Sequence, residues 1–211
     1  MTNYDTRDKR YYVDYDNTRD TTWTSSTDRR LHRLNELDDW KVHEDDYDVR
    51  GWSVKDAAGN TVGKVENLIV DKSMRRVRYL EVDLSSSWND FGSKYDNGYT
   101  NDDSHIFLPI GLVTLDGSDN DVHIKALQTD HVFNAPRYRR NTPFTPEREV
   151  ATYSYLTGPA GNPGLDNRGL TYNTSDYLGA PSLDDDFYTS PYFDDSAYNT
   201  SARTRSKVIA N

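Results

Sequence analysis

Five histidines could act as bases or metal ligands: His32, His43, His105, His123 and His131. Either role needs two or three of them to converge with carboxylates, and no spacing between them matches a ligand motif. His123 sits between Val122 and Ile124 in an alternating stretch, so it is expected to face solvent. The five are read as ordinary surface or rim residues. Clustered carboxylates are the second source of chemistry. The run DGSDND at 116–121 supplies oxygen donors but not the EF-hand order, and a Gly/Asp/Asn cluster between two apolar runs reads as a turn. The run NDFGSKYDNGYTNDDS at 89–104 is read likewise, with a weak calcium site at Asp90, Asp96, Asp102 and Asp103 kept as an alternative. GxSxG, GxGxxG and HExxH are absent, and no nucleophile–base pair stands out. No enzyme is expected, and no catalytic, cofactor or metal residues are assigned.

The remaining candidates are binding residues. Lys72, Arg75, Arg76 and Arg78 make a small basic patch, although 9 Lys/Arg face 14 Asp/Glu between Asp48 and Asp130. The plain reading is a turn kept soluble by charge. If the patch binds anything, an acidic protein segment suits it better than nucleic acid. The chain's own LDDDFYTSPYFDD, residues 183–195, is one such segment. Arg75, Arg76 and Arg78, with Trp88 and Phe91 from the following loop, are the candidate partner-binding surface. The tyrosines outside this region sit among Asp and Asn without interleaved basic residues. They suit a weakly associating tail, or one that folds on a protein partner, better than base stacking.

Composition sets the frame for these residues. Of 211 residues only 34% are hydrophobic, and the mean hydropathy is −0.94. Only part of such a chain can build a core. The net charge of −10 opposes phosphates and anionic lipid surfaces. The absence of cysteine removes disulfides and thiolate chemistry and fits a cytoplasmic setting. No signal-peptide core opens the chain, and the runs NLIV and IFLPIGLV are far short of the roughly 20 residues a spanning helix needs.

The elements follow from periodicity. Residues 1–30 read as a disordered polar tail. In residues 31–47, Leu31, Leu34 and Leu37 recur every third position and predict a short helix, capped by Thr27 or Asp28, that docks on the next domain. From residue 51 the period becomes two. GWSVKD is a strand, AAGN a tight turn, and TVGKVENLIVD a second strand with a bulge or bend near Gly63. DKSMRR turns the chain into RVRYLEVDL. Val65, Ile69, Val70, Leu80, Val82 and Leu84 are the expected core, with Tyr79 at the rim and its hydroxyl wet. After a long polar connection at 85–104 come IFLPIGLVTLD, a turn at GSDN, the strand VHIKAL, and a helical turn capped by Thr129 and stopped by Pro136. Residues 139–211 show no lasting period and read as a disordered, low-complexity, Tyr/Asp/Asn-rich tail. On this reading a chain stripped of residues 1–30 and 145–211 keeps a folded domain.

The segment GWSVKDAAGNTVGKVENLIVDKSMRRVRYLEVDL resembles the PRC-barrel domain. The pattern rests on Gly51, Val54, Asp56, Gly59, Gly63, Lys64, Val65, Val70, Asp71, Arg78, Tyr79, Leu80, Val82 and Asp83, with a second block in FLPIGLVTLD and NAPRY. That family includes the cytoplasmic barrel of the photosynthetic reaction-centre H subunit and the C-terminal domain of the ribosome maturation factor. The resemblance implies an all-β fold, a small barrel of five or six strands over residues 48–138. It implies a non-enzymatic, soluble bacterial protein acting as an interaction or assembly adaptor, with self-association and a stress-related setting among the expectations. No DNA partner is expected. A ribosome or RNA-processing assembly role, by analogy with the maturation factor, is the alternative. It is weakened by the negative charge and by the lack of an RNA-binding half.

Overall fold

The computed structural model describes residues 29–44, 46–87, 103–158, 183–195 and 208–210. The strands run in chain order as β1 (Leu31–Arg33), β2 (Trp40–Val42), β3 (Ser53–Lys55), β4 (Thr61–Asp71), β5 (Arg76–Asp83), β6 (His105–Pro109), β7 (Val113–Asp116), β8 (Asp121–Ile124) and β9 (Val208–Ala210). The helices are α1 (Thr129–Phe133) and α2 (Pro146–Thr157), with short 3₁₀ turns between. Seven strands form the main sheet in the order β6-β5-β4-β3-β8-β7, with β1 also paired to β4, while β2 and β9 form a separate pair. No helix among the described residues is long and apolar enough to cross a membrane.

β4 is the spine of the sheet. Its first half pairs with β3, its last three residues with β1, and most of its length with β5. Its register slips beside Gly63, where Val62 has no partner on β3, and again at Glu66 opposite β5. The AAGN turn is closed by Asp56, whose carboxylate accepts the N–H groups of Ala58 (2.9 Å) and Asn60 (2.8 Å). Gly59 takes φ +86°, which an L side chain rarely adopts. The sheet is not closed as the sequence predicts. β6 and β7 end it on opposite sides and are joined by the Ile110–Leu112 turn without pairing to each other. Pro109, with no N–H to give, ends β6 at that point.

Both faces of the sheet are buried, which is why β4 shows no clean alternation in sequence. One core contains Val65, Leu68, Val70, Leu80, Val82, Leu84, Ile106 and Leu108. A second, largely aromatic core lies on the other face and holds Leu31, Ile69, Tyr79, Phe107, Tyr138, Phe144, Tyr153, Phe187 and Phe193. Ile69 therefore belongs to the second core. Tyr79 is not at a wet rim: it is fully buried.

Two further expectations are corrected. Residues 31–47 dock, but in place of the expected short helix the described residues hold one 3₁₀ turn between two strands. Leu31 lies in the second core and Leu34 in the first, while the backbone runs as β1, a 3₁₀ turn over Leu34–Glu36, and β2. A three-residue leucine spacing fits a 3₁₀ turn as well as an α-helix, and pairing with β4 decides the backbone. Thr27 and Asp28 lie outside the described residues. The segment after residue 139 is the larger correction, because part of it is folded onto the sheet. Pro146 opens the 12-residue α2, whose Val150, Tyr153 and Leu156 face the sheet. Residues 183–195 follow with two 3₁₀ turns that bury Leu183, Phe187, Tyr188 and Phe193. The tail reads as disordered because its anchors are tyrosines and phenylalanines spaced among Asp, Ser and Thr.

Cutting the chain after residue 138 would uncover Ile69, Tyr79 and Phe107. At about 1.5–3 kcal/mol for each large side chain, this exposure should lower the melting temperature by more than ~10 °C and create binding sites for a hydrophobic dye. A melting temperature equal to that of the full chain would show that the covering layer is dispensable.

Candidate functional site

The residues that could contact a partner gather at the β4–β5 hairpin. Arg75 lies in the turn at φ +52° and is exposed. Arg76 opens β5 opposite Asp71, and its Nη1 donates to Asp195 Oδ2 at 2.6 Å. Arg78 is buried, its Nη2 lying 3.4 Å from Asp71 Oδ2. The structure adds Arg30, which sequence reasoning left inside a neutral tail. Its Nε donates to Asp71 at 2.9 Å and its Nη1 pairs with Asp185 at 2.6 Å. The guanidiniums of Arg30 and Arg78 stand 4.4 and 4.7 Å from the ring centroid of Tyr188, within cation–π range. Trp88 and Phe91 lie outside the described residues.

Asp71 ties these arginines together. Burial works against its charge, but hydrogen bonds from Arg30, Ser73 and the Met74 N–H outweigh burial and hold its pKa below the ordinary value. The basic patch thus meets carboxylates on both sides. Asp71 comes from the end of β4, and Asp185 and Asp195 come from the acidic run at 183–195. The sequence offers that run as one possible partner for the patch; in the structure Asp195 pairs with Arg76 and Tyr188 lies over Arg78.

Beside the arginines is a fully buried carboxyl. Glu149 of α2 accepts the Tyr79 hydroxyl at 2.8 Å and the Tyr188 hydroxyl at 2.9 Å, one on each oxygen. Burial pushes its pKa up to about 8, against the opposing pull of the two hydroxyls and of Arg30 and Arg78. Burial and the neighbouring Glu149 likewise raise the phenols of Tyr79 and Tyr188. The apolar part of the site is built from rings. Phe193 meets Tyr79 edge-on at 5.3 Å, and Phe187 packs on Tyr153 at 4.9 Å. Tyr153 also shares a hydrogen bond with Ser190 at 2.7 Å. At Gly111 the chain of Pro191 and Tyr192 comes so close that a Cβ would lie 2.4 Å from the Pro191 carbonyl oxygen.

Several other titratable groups are matched inside the protein. Arg33 forms a buried pair with Glu81 (2.7 and 2.8 Å) and also donates to the Thr142 carbonyl. His32 and His105 are buried rather than on the surface, because β1 and β6 place them inside the sheet assembly. Ligand atoms of Glu66, Asp83 and His105 lie within 4.8 Å of one another, a group that could hold a metal. Arg140 already pairs with Glu66 at 2.7 Å, and Ser85 holds Asp83 through both its N–H and its hydroxyl. In the 116–121 turn, Asp116 accepts the Ser118 N–H at 2.9 Å and Asp121 pairs with Lys55. Of the four loop carboxylates, Asp90, Asp96 and Asp102 lie outside the described residues, and Asp103 pairs with Arg139.

Against known families, residues 42–129 match the family model of the PRC-barrel domain. The match runs from β2 to the start of α1 and includes neither α2 nor residues 183–195. No curated protein matches the chain.

A carboxyl with a folded pKa of about 8, above its ordinary 4.5, binds its proton more tightly in the folded chain. Its contribution to stability is complete below about pH 4.5 and is lost as pH rises to about 8. His32 acts in the opposite sense, since burial lowers its pKa and favours the neutral ring. Comparing wild type with Glu149→Gln isolates the carboxyl. The difference in melting temperature should shift in favour of the variant as pH rises over that window. A constant difference would mean that Glu149 does not titrate there.

Proposed function

Since residues 42–129 are a PRC-barrel domain, we propose that the protein is a non-enzymatic adaptor, a protein-interaction module acting in the cytoplasm. One observation supports this most directly. The barrel face lined by Arg30, Arg76 and Arg78 accommodates an acidic, aromatic peptide segment and binds it by both charge and ring packing. Arginine and tyrosine are side chains that carry much of the energy at protein interfaces. The groups with the most perturbed protonation, Glu149, Tyr79 and Tyr188, are hydrogen-bonded to one another within the fold. The chain's net charge of −10 favours a protein partner over RNA, because an acidic molecule gains little from counterion release on phosphates.

The test uses the full chain, tagged in cells and cross-linked before purification. Specific protein cross-links or self-association are expected, and Arg76→Glu should reduce their yield several-fold. Recovery without any specific protein partner or self-association would overturn the adaptor reading. Co-sedimentation with ribosomes that RNase abolishes would replace it with an RNA-assembly role.

A further inference from the structure

Residues 183–195 cover the arginine face with a sequence complementary to it. The run LDDDFYTSPYFDD holds five aspartates, four aromatic residues and no basic residue. Asp185 and Asp195, near its two ends, reach Arg30 and Arg76. Between them Phe187, Tyr188 and Phe193 fill the aromatic layer over Tyr79 and Tyr153. We infer that this segment is a replaceable occupant of the barrel face, and that the external ligand is an acidic segment of another protein with the same pairing of aspartates and aromatic rings. The inference rests on the adaptor reading and specifies the partner's chemistry.

Three observations distinguish a replaceable occupant from an integral layer. First, the way it is held. No strand of the sheet pairs with the segment. Its turns are closed internally, by Tyr188 N–H to Asp185 O (3.1 Å), Phe193 N–H to Ser190 O (2.9 Å) and Asp194 N–H to Pro191 O (3.1 Å). The bonds described between it and the barrel run through side chains, so it can leave without opening the sheet. Second, the surface beneath it. Arg30, Arg78, Asp71 and Glu149 lie under or beside Tyr188. These groups regain water when uncovered, which offsets part of the cost of exposing the rings of Tyr79 and Tyr153 beside them. Third, the segment lies outside the matched domain, residues 42–129, whereas Arg76 and Arg78 lie within it. The face beneath it is shared: Asp71, Arg76, Arg78 and Tyr79 come from the matched domain and Arg30, Glu149 and Tyr153 from outside it, while the occupant lies wholly outside.

A tethered occupant competes at an effective concentration in the millimolar range. The wild-type chain should therefore bind a free ligand weakly. The probe is a fluorescent synthetic peptide with the sequence of residues 183–195, followed by anisotropy against the full chain. In the full-length variant Phe187→Ala/Tyr188→Ala/Phe193→Ala, α2 is kept and the tethered copy loses its anchors. This variant should bind the peptide at least about tenfold more tightly than wild type. Adding Arg76→Glu should reverse most of that gain. Adding Gly111→Ala should also weaken binding, because its Cβ would collide with the peptide's proline carbonyl. A peptide with Asp replaced by Asn should bind several-fold less well.

The inference is overturned if the folded triple variant fails to bind the peptide, or binds it no better than wild type. It is also overturned if Arg76→Glu has no effect. Loss of a cooperative melt in the triple variant would make the segment an integral layer and would equally refute it. The milder Asp185→Lys/Asp195→Lys variant leaves the aromatic layer in place and should give a smaller gain in peptide affinity. Failure here, with partners still cross-linked to the full chain, would leave the adaptor reading intact. Peptide binding with no cellular partner would do the reverse.

Discussion

Tyr79 and Leu80 are consecutive residues of β5, and both are fully buried. Successive side chains of a strand point to opposite faces, so the sheet must be covered on both. The first face is covered by the chain at Leu34, by α1 through Val132 and Phe133 and by Leu156 of α2, which share one core with Val54, Leu80, Ile106 and Val122. The second face cannot be covered by the matched domain alone. In the structure Tyr79 and Phe107 share this core with α2, Phe144 and residues 183–193. The covering layer is therefore a consequence of β5 being apolar on both sides, and the chain beyond residue 139 is drawn into the fold by that demand.

Covering a face that carries a phenol, a carboxyl and two guanidiniums sets a second constraint. Each buried polar group needs a partner, since an unmatched one costs about 1–3 kcal/mol. The layer meets this with aromatic residues that also bear hydroxyls. Tyr188 brings a ring for Arg30 and Arg78 and a hydroxyl for Glu149. A phenylalanine there would pack equally well but leave one Glu149 oxygen with no donor from residues 183–195. The same logic explains why Tyr138 shares its hydroxyl with Thr152 while its ring packs on Phe107. Among the described residues, Tyr153 and Tyr188 of the tail each combine a buried ring with a hydroxyl hydrogen bond, which polar groups under an aromatic layer require.

This also explains which parts of the fold were legible. The β4–β5 hairpin was, because Leu80, Val82 and Leu84 alternate on β5, β4 is apolar along much of its length, and Gly59 and the Asp/Asn turns punctuate the chain. The candidate site was legible on its arginine side, through Arg76 and Arg78, and in the acidic run that meets them. Arg30 was not, since a basic residue among Asp and Thr looks solvated until Asp71 is placed beside it. Glu149 was hidden by its type, because a glutamate is read as exposed unless its partners are known, and both partners are tyrosines far from it in sequence. The buried stripe of α2 runs through Val150, Tyr153 and Leu156 together with Glu149 and Thr152, a mixture that no hydropathy period singles out. The leucines of residues 31–37 fixed the docking but not the backbone, which β4 dictates through pairing.

Net charge illustrates the same limit. A value of −10 spread over 211 residues suggests a uniformly acidic surface. Folding segregates it instead. Arg30, Arg76 and Arg78 collect on one face, and Asp71, Asp185 and Asp195 are placed against them. The local field under residues 183–195 is therefore opposite in sign to that of the whole chain. Such a face attracts acidic segments over a short range, while the rest of the molecule repels them at distances beyond roughly the 8–10 Å screening length. Binding there must depend on close contact with the aromatic layer rather than on long-range steering, so selectivity falls to the ring positions. That is why the spacing of Phe187, Tyr188 and Phe193, more than the number of aspartates, defines what the face can accept.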